Sequence, residues 1–284
     1  MKRDLSAIHS PVTGLFIDGS GAADMISDAD LQFFEANGYI AGAKLLSDGQ
    51  VRSLCRDLAR LMEPAFAEDP RFYEYHSNES IDPSKKVFHA LGAWRVSPVF
   101  HDLIFYKPLV SAAEKLLNGP VRFWHDQLFV KPAHDGGVVA WHQDYSYWTR
   151  TKPVAHLTCW IGLDDSTIRN GCVHYVPGSH RWNLLSRGKL IDDMDAVLEL
   201  LTEEQRAAFR PAAIELAAGE ASFHHPMTVH GSYENTSDRP RRSTVINFIR
   251  DGVLSASDEP LLDGIPPVPK GEPLNGRFFP LLSK

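Results

Sequence analysis

Three side chains in this sequence have the types and spacing to hold a transition-metal ion. His142 and Asp144 stand two apart in Trp141-His142-Gln143-Asp144-Tyr145, and His230 opens His230-Gly231-Ser232 far downstream. Residues two apart on an extended strand point to one face, so the imidazole and the carboxylate share a surface. One more imidazole from a distant strand completes a two-histidine, one-carboxylate set. Such a set fills three adjoining positions of an octahedral ion and leaves three open. An isolated His-x-Asp is weak, since about one is expected by chance in a chain of this make-up. Alone, His142 also reads as a half-buried strand histidine bonded to Asp144.

A second constellation lies beyond His230. Gly231 and Ser232 are small enough to permit close approach, and Arg241 stands eleven residues after the histidine. Arg241 enters a β-rich run in which Arg241, Ser243, Val245 and Asn247 share one face, while Arg242 turns the other way. A guanidinium aimed into a barrel is costly unless an anion meets it. A carboxylate held by two parallel N–H bonds is its natural partner.

Strands must carry these residues, and the pattern from Val121 onward supplies them. Strand-like runs occur at 121–124, 127–130, 138–144, 156–163, 172–176, 213–216, 221–224 and 242–249, separated by Gly and Pro turns. The region 121–250 therefore reads as a sandwich or barrel core, with a helical insertion at about 189–209. Residues 27–120 read as a mostly helical cover. One helix is boxed by Ser27 and Asp30 and ends at Asn37-Gly38, and a second is capped by Ser47 with Val51, Leu54, Leu58 and Leu61 inward. A third starts at Pro98 and runs through Leu117. The unpatterned stretch 64–97 is expected to form a lid or wall on the substrate side. Residues 1–26 read as an irregular lead-in and 251–284 as a Pro- and Gly-rich tail, the whole being a single domain.

Composition narrows the partners. The chain has 284 residues, 43% of them hydrophobic, enough for a sizeable core, and a formal net charge of −7. That charge argues against nucleic acid, which needs a basic face. No apolar run approaches the ~20 residues that span a bilayer, and no apolar segment follows Met1-Lys2-Arg3 as a secretory signal would require. Cys55, Cys159 and Cys172 are sparse and unpaired in spacing, which fits a reducing, cytoplasmic setting.

Taken in order, these pieces resemble the phytanoyl-CoA dioxygenase family of non-haem iron(II)- and 2-oxoglutarate-dependent oxygenases. The matching residues are Phe33-Phe34-Glu35-Ala36-Asn37-Gly38-Tyr39, Leu128-Phe129-Val130-Lys131-Pro132, His142-Gln143-Asp144 and Trp160. Asn170-Gly171-Cys172, Val176-Pro177-Gly178-Ser179-His180, and His230 through Ser237 with Arg241 complete the set. The resemblance covers about residues 28 to 250, and the order is more specific than any one piece.

It implies a mainly β fold with covering helices, a double-stranded β-helix or cupin-like jelly roll with the metal at its open end. It implies His142, Asp144 and His230 as Fe(II) ligands, Arg241 and Ser232 on the distal carboxylate of 2-oxoglutarate, and Gln127 and Trp160 lining the cosubstrate pocket. Lys86 is a further cosubstrate lysine in that alignment. The implied reaction uses O2, releases succinate and CO2, and oxidises an unactivated C–H of a small organic molecule. Hydroxylation is its usual outcome, with desaturation or cyclisation on the same scaffold. Related halogenases replace the carboxylate by a small residue, so Asp144 speaks for hydroxylation.

Tyr145, Tyr147 and Trp148, just after the ligand pair, and His225 beside Pro226 are placed for substrate contact, and each also reads as packing. His224 has the same two readings. Arg95, His125 and Asp126 could recognise a polar substrate or pair with neighbouring strands. Two rival classes remain at this point: a non-catalytic metal-binding jelly roll acting as sensor or scaffold, and a zinc hydrolase. The carboxylate clamp of Arg241 and Ser232 speaks against the first. The second lacks a general base in an HExxH-like pattern.

Overall fold

The computed structural model describes residues 3–16, 25–80, 82–186 and 193–283. The chain begins with α1 (Asp28–Asn37), β1 (Tyr39–Lys44) and α2 (Asp48–Leu61). Next come β2 (Glu74–His76), β3 (Phe88–Leu91), α3 (Ala93–Val96), α4 (Pro98–Leu103) and α5 (Lys107–Leu117). The strands β4 (Val121–Lys131), β5 (Val139–His142), β6 (Thr151–Lys152), β7 (His156–Gly162) and β8 (Val173–Tyr175) follow. After α6 (Glu203–Ala208) the chain ends with β9 (Ala212–Ile214), β10 (Glu220–His224), β11 (His230–Ser232), β12 (Arg241–Arg250) and β13 (Leu254–Ser255).

The helices begin where side chains can satisfy their free N–H groups. Ser27 accepts from the Asp30 amide while the Asp30 carboxylate accepts from the Ser27 amide, and Ser47 and Gln50 repeat the exchange at α2. Gly38, at φ 81°, stops α1 and lets the chain turn into β1. The apolar stripe of α2 buries Leu54, Leu58 and Leu61 completely, each contributing roughly 1.5–3 kcal/mol by removal from water.

Seven antiparallel strands form the larger sheet in the order β1-β10-β7-β12-β4-β3-β2, and four form the smaller in the order β5-β11-β8-β9. This is the jelly roll expected from the resemblance. The larger sheet sorts its residues by face. Phe123, Leu128, Val130, Leu157, Cys159, Ile161, Phe223, Ile246 and Phe248 join the main core with α2, α4 and α5. The alternate residues face the smaller sheet, and there one row of direct partners is polar throughout. His125 on β4 opposes Asn247 on β12, Asn247 opposes Thr158 on β7, and Thr158 opposes His224 on β10.

Three expectations are corrected. The single helix from Pro98 to Leu117 is two helices, because Pro108 near the start of α5 has no N–H to continue the first one. The runs 121–124 and 127–130 form one strand, in which Trp124 is the extra residue of a bulge opposite Asn247 and Phe248. The stretch 64–97 is not irregular throughout, since β2 and β3 extend the larger sheet at one edge. Of the insertion at 189–209, the first residues lie outside the described ones. Its remainder packs Met194, Val197 and Leu201 behind the smaller sheet on Trp141 and Val229.

The turn into β8 depends on Gly171. It sits at φ 78°, and a β-carbon there would collide with the Tyr233 carbonyl beside β11. Gly171→Ala should therefore destabilise the fold by about 2 kcal/mol, read as a lower urea midpoint with an unchanged m-value.

Candidate metal centre

His142 closes β5, and Asp144 opens the short helical turn that follows it. Gln143 between them is extended, so the two functional side chains still fall on one side. Gln143 turns away, donating to the Met227 carbonyl at 2.9 Å and accepting from the Leu185 amide at 2.8 Å. That double anchor holds the peptide from behind. His230 starts β11 directly opposite His142, with Tyr175 on its other flank.

The candidate ligand atoms of His142, Asp144 and His230 all lie within 4.8 Å of one another. Nε2 of His142 is 3.4 Å from Asp144 Oδ1, and Nε2 of His230 is 3.6 Å from the same oxygen. The proton positions follow from the outer contacts. His142 Nδ1 donates to the Ala140 carbonyl at 2.8 Å and His230 Nδ1 to the Thr228 carbonyl at 3.0 Å. Both Nε2 atoms are then bare lone pairs. Asp144 Oδ2 accepts one hydrogen bond from Thr158 Oγ1 at 2.6 Å and one from His224 Nε2 at 3.0 Å, leaving Oδ1 free to face inward. Three lone-pair atoms thus converge with no proton among them. Such an arrangement repels itself unless a cation fills it, so the residues fit a divalent metal.

The electrostatics agree. Burial opposes the Asp144 charge, but His230, His142 and His224 hold its carboxyl well below the usual range. Burial pushes the His230 imidazole well down, as do its neighbours His142 and His224, which keeps the neutral form that a metal needs. Behind His224, Tyr175 lies 3.1 Å from Nδ1 and 2.9 Å from Ser222 Oγ. Since His224 Nε2 carries the proton of its hydrogen bond to Asp144, Tyr175 donates to Nδ1 and Ser222 to Tyr175.

A cavity of about 520 Å³ opens above these atoms between the two sheets. At one end Arg241 is 2% exposed, its guanidinium 5.4 Å from the centre of the Trp160 ring and 3.3 Å from Ser232 Oγ. Its Nε is buried without a partner among the described residues. Burial lowers its pKa to about 10, so it stays charged at neutral pH. Arg242 points outward and is spent on Asp164 at 2.6 Å. A buried guanidinium that lines the cavity and pairs with no carboxylate among the described residues fits an incoming one. Gln127 lines the same cavity, bonded to His89 at 3.0 Å.

Tyr147 and Trp148 line the cavity, whereas Tyr145 and His225 do not. Tyr145 turns into the core, its hydroxyl donating to the Thr151 carbonyl at 2.5 Å. His225 follows the inward-facing His224, so alternation sends it outward onto His180, with ring centres 5.6 Å apart. Lys86 is exposed, and its hydrogen bonds among the described residues are backbone ones, to Asp135 and Gly137. The lysine brought to Ser232 is Lys131, 1% exposed, with Nζ 2.6 Å from Ser232 Oγ. Its signal was available in the alternation 125, 127, 129, 131 along β4. Arg95 pairs with Asp4 at 2.7 Å, and Asp126 caps the Gly92 and Trp94 amides, both outside the cavity lining. His125 does line it. Thr158 and Asn247 went unrecognised in the sequence.

A family model described as phytanoyl-CoA dioxygenase matches residues 34–243, and the chain belongs to this family. It is 25% identical over 272 residues to a phytanoyl-CoA dioxygenase of Arabidopsis thaliana, covering 84% of this chain and 94% of that protein. It is also 25% identical to an ectoine dioxygenase of Bordetella parapertussis, over 80% of this chain and 76% of the relative. Among solved structures it is similar to the non-haem α-ketoglutarate-dependent carbocyclase SnoK from nogalamycin biosynthesis, with a TM-score of 0.74 and 24% identity. That likeness covers 92% of this chain and 97% of the other. The chain is a non-haem Fe(II)- and 2-oxoglutarate-dependent oxygenase, with O2 as its oxidant.

His224→Leu would remove one of the two protons offered to Asp144 Oδ2. Loss of such a supporting bond is expected to weaken metal binding about 10–100-fold, measured by anaerobic Fe(II) titration. Lys86→Met should leave that titration unchanged.

Proposed function

We propose that this oxygenase hydroxylates an unactivated C–H of a small organic molecule, holding Fe(II) with His142, Asp144 and His230. Arg241, with Ser232, grips the distal carboxylate of 2-oxoglutarate, and Gln127 and Trp160 flank it. The observation that carries this reading is the pairing of two complementary vacancies of charge in one cavity. Three convergent lone pairs ask for a cation, and the unpartnered N–H of Arg241 asks for a carboxylate. A sensor or scaffold has no use for the second, which favours catalysis over mere metal storage. The whole chain would act as one oxygenase unit in the cytoplasm. Among the described residues no helix is long and apolar enough to cross a membrane.

When bound, iron and 2-oxoglutarate supply the oxidant through decarboxylation to succinate and CO2. The residues of the chain do the rest. Thr158 and His224 hold Asp144 ionised and direct Oδ1 to the metal side. Trp160 covers the Arg241 guanidinium and excludes water from its far face. Tyr147, whose ring centre lies 5.9 Å from that of His142, lines the cavity with Trp148 and Leu91, and these walls would keep a substrate C–H from solvent. Asp144 also leaves no room for a halide in its place.

Anaerobic addition of Fe(II) and then 2-oxoglutarate should produce a visible charge-transfer band, and its absence in the wild-type protein would sink the reading. His142→Ala should abolish the band. Arg241→Leu should keep the metal but raise the 2-oxoglutarate concentration needed by roughly a hundredfold, as expected for losing one partner of a buried charge pair.

A further inference from the structure

We infer that His125 is a substrate-positioning residue whose Nε2 faces the cavity as a bare hydrogen-bond acceptor, selecting substrates that carry an O–H or N–H donor. The tautomer stands on the hydrogen-bond row itself. Only the identity of the occupant as substrate depends on the function proposed above.

Protons along the row are fixed from one end. Asp144 Oδ2 has none to give, so the single proton of Thr158 must lie on the 2.6 Å contact to it. Thr158 Oγ1 is also 2.9 Å from the side-chain amide of Asn247, and it has nothing left to donate there. The amide must therefore give an N–H to Thr158. A half-turn of a carboxamide exchanges its oxygen and nitrogen, and with the oxygen toward Thr158 the 2.9 Å contact would hold no proton. The proton count selects the reverse, with the amide oxygen toward His125. The 3.2 Å contact between that amide and His125 Nδ1 is then an Nδ1–H donated to oxygen. A neutral imidazole protonated at Nδ1 has a lone pair at Nε2.

No side chain among the described residues pairs with that lone pair, the ring's other contact being with the Asp126 backbone, and the ring is only 2% exposed and lines the cavity. Trp148 packs edge-to-face with the ring, their centres 5.4 Å apart, and restrains its tilt. Burial also keeps the ring neutral, with a pKa near 3, so the acceptor persists across the physiological range. Arg241 lies at the far end of the inner face, on β12 opposite Lys131 of β4. His125 is thus separated from the carboxylate clamp and stands on the side left for substrate. A purely structural histidine at this position would have its second nitrogen paired or packed in apolar surroundings.

Nitrogen-15 NMR of histidine-labelled, full-length protein loaded with diamagnetic Zn(II) tests the tautomer directly. The His125 signal is assigned by its loss in His125→Gln. A proton on Nδ1 and none on Nε2 is the expected result, converting to a mixture in Asn247→Leu. A proton on Nε2 in the wild type overturns the assignment. Succinate release then tests the role. A panel compound that stimulates turnover is compared with its analogue methylated at the donor atom. Wild type should prefer the free donor at least tenfold in kcat/KM, mainly through KM, and His125→Phe should lose that preference while retaining the 2-oxoglutarate charge-transfer band. Equal discrimination by His125→Phe overturns the role. A missing band in the wild type strikes the proposed function instead, and the NMR measurement still decides the tautomer.

Discussion

The buried charge of Asp144 is the constraint around which the inner face of this barrel is arranged. A carboxylate deep in a protein is costly unless every lone pair is met. Here one oxygen is met by Thr158 and His224, and the other is left for a cation. Both donors sit in the same cross-strand row, with Asn247 and His125 continuing it. Register and charge are therefore one problem. A slip of a single residue in β7 or β10 would turn Thr158 or His224 into the apolar core and strand the carboxylate without donors.

The polar inner face is tolerable because stability comes from elsewhere. The larger sheet packs its outer face on α2, α4 and α5, where fully buried Leu54, Leu58, Phe100, Leu103, Phe123, Leu157 and Phe248 meet. Among the described residues, the space between the sheets has a small apolar cluster, built on Tyr39, Trp160, Val173, Tyr175, Leu216 and Val245. Hydrophobic burial and chemistry are thus assigned to opposite faces of the same strands. Period-two alternation makes that division possible with no extra chain.

This division also explains what could be read in advance. His142, Asp144, His230 and Arg241 were legible because ligand types at fixed spacing, and an arginine in a strand, carry chemistry in their identity. The helices were legible through Ser27, Ser47 and the stripe of α2, since caps and period are local. Thr158 and Asn247 were not, because a threonine or asparagine in a strand looks ordinary until pairing shows what lies opposite. His224 and His225 differ only in parity, and the strand end that fixes parity depends on pairing with β1 and β7. Lys86 and Lys131 differ in a similar way. A lysine reads as solvent-facing by type, and only its inward place on β4 puts Lys131 beneath Ser232. The bulge at Trp124 and the break before Pro108 are likewise matters of partners rather than propensity.

Family membership and substrate choice are carried by different parts of the chain. The metal side and the Arg241 clamp lie wholly within residues 34–243, the span that matches the family. Leu261, Leu262 and Asp263 also line the cavity, and they lie beyond it. They belong to the tail, which Arg150 holds by donating to the carbonyls of Pro260 and Leu261. Tyr73, Glu74 and Glu79 face the cavity from the edge around β2, away from the central strands. Neither segment contributes to the row that stabilises Asp144. Both can therefore change in sequence without disturbing the ionised carboxylate, and a scaffold built this way can keep one oxidant while its substrate-facing walls diverge.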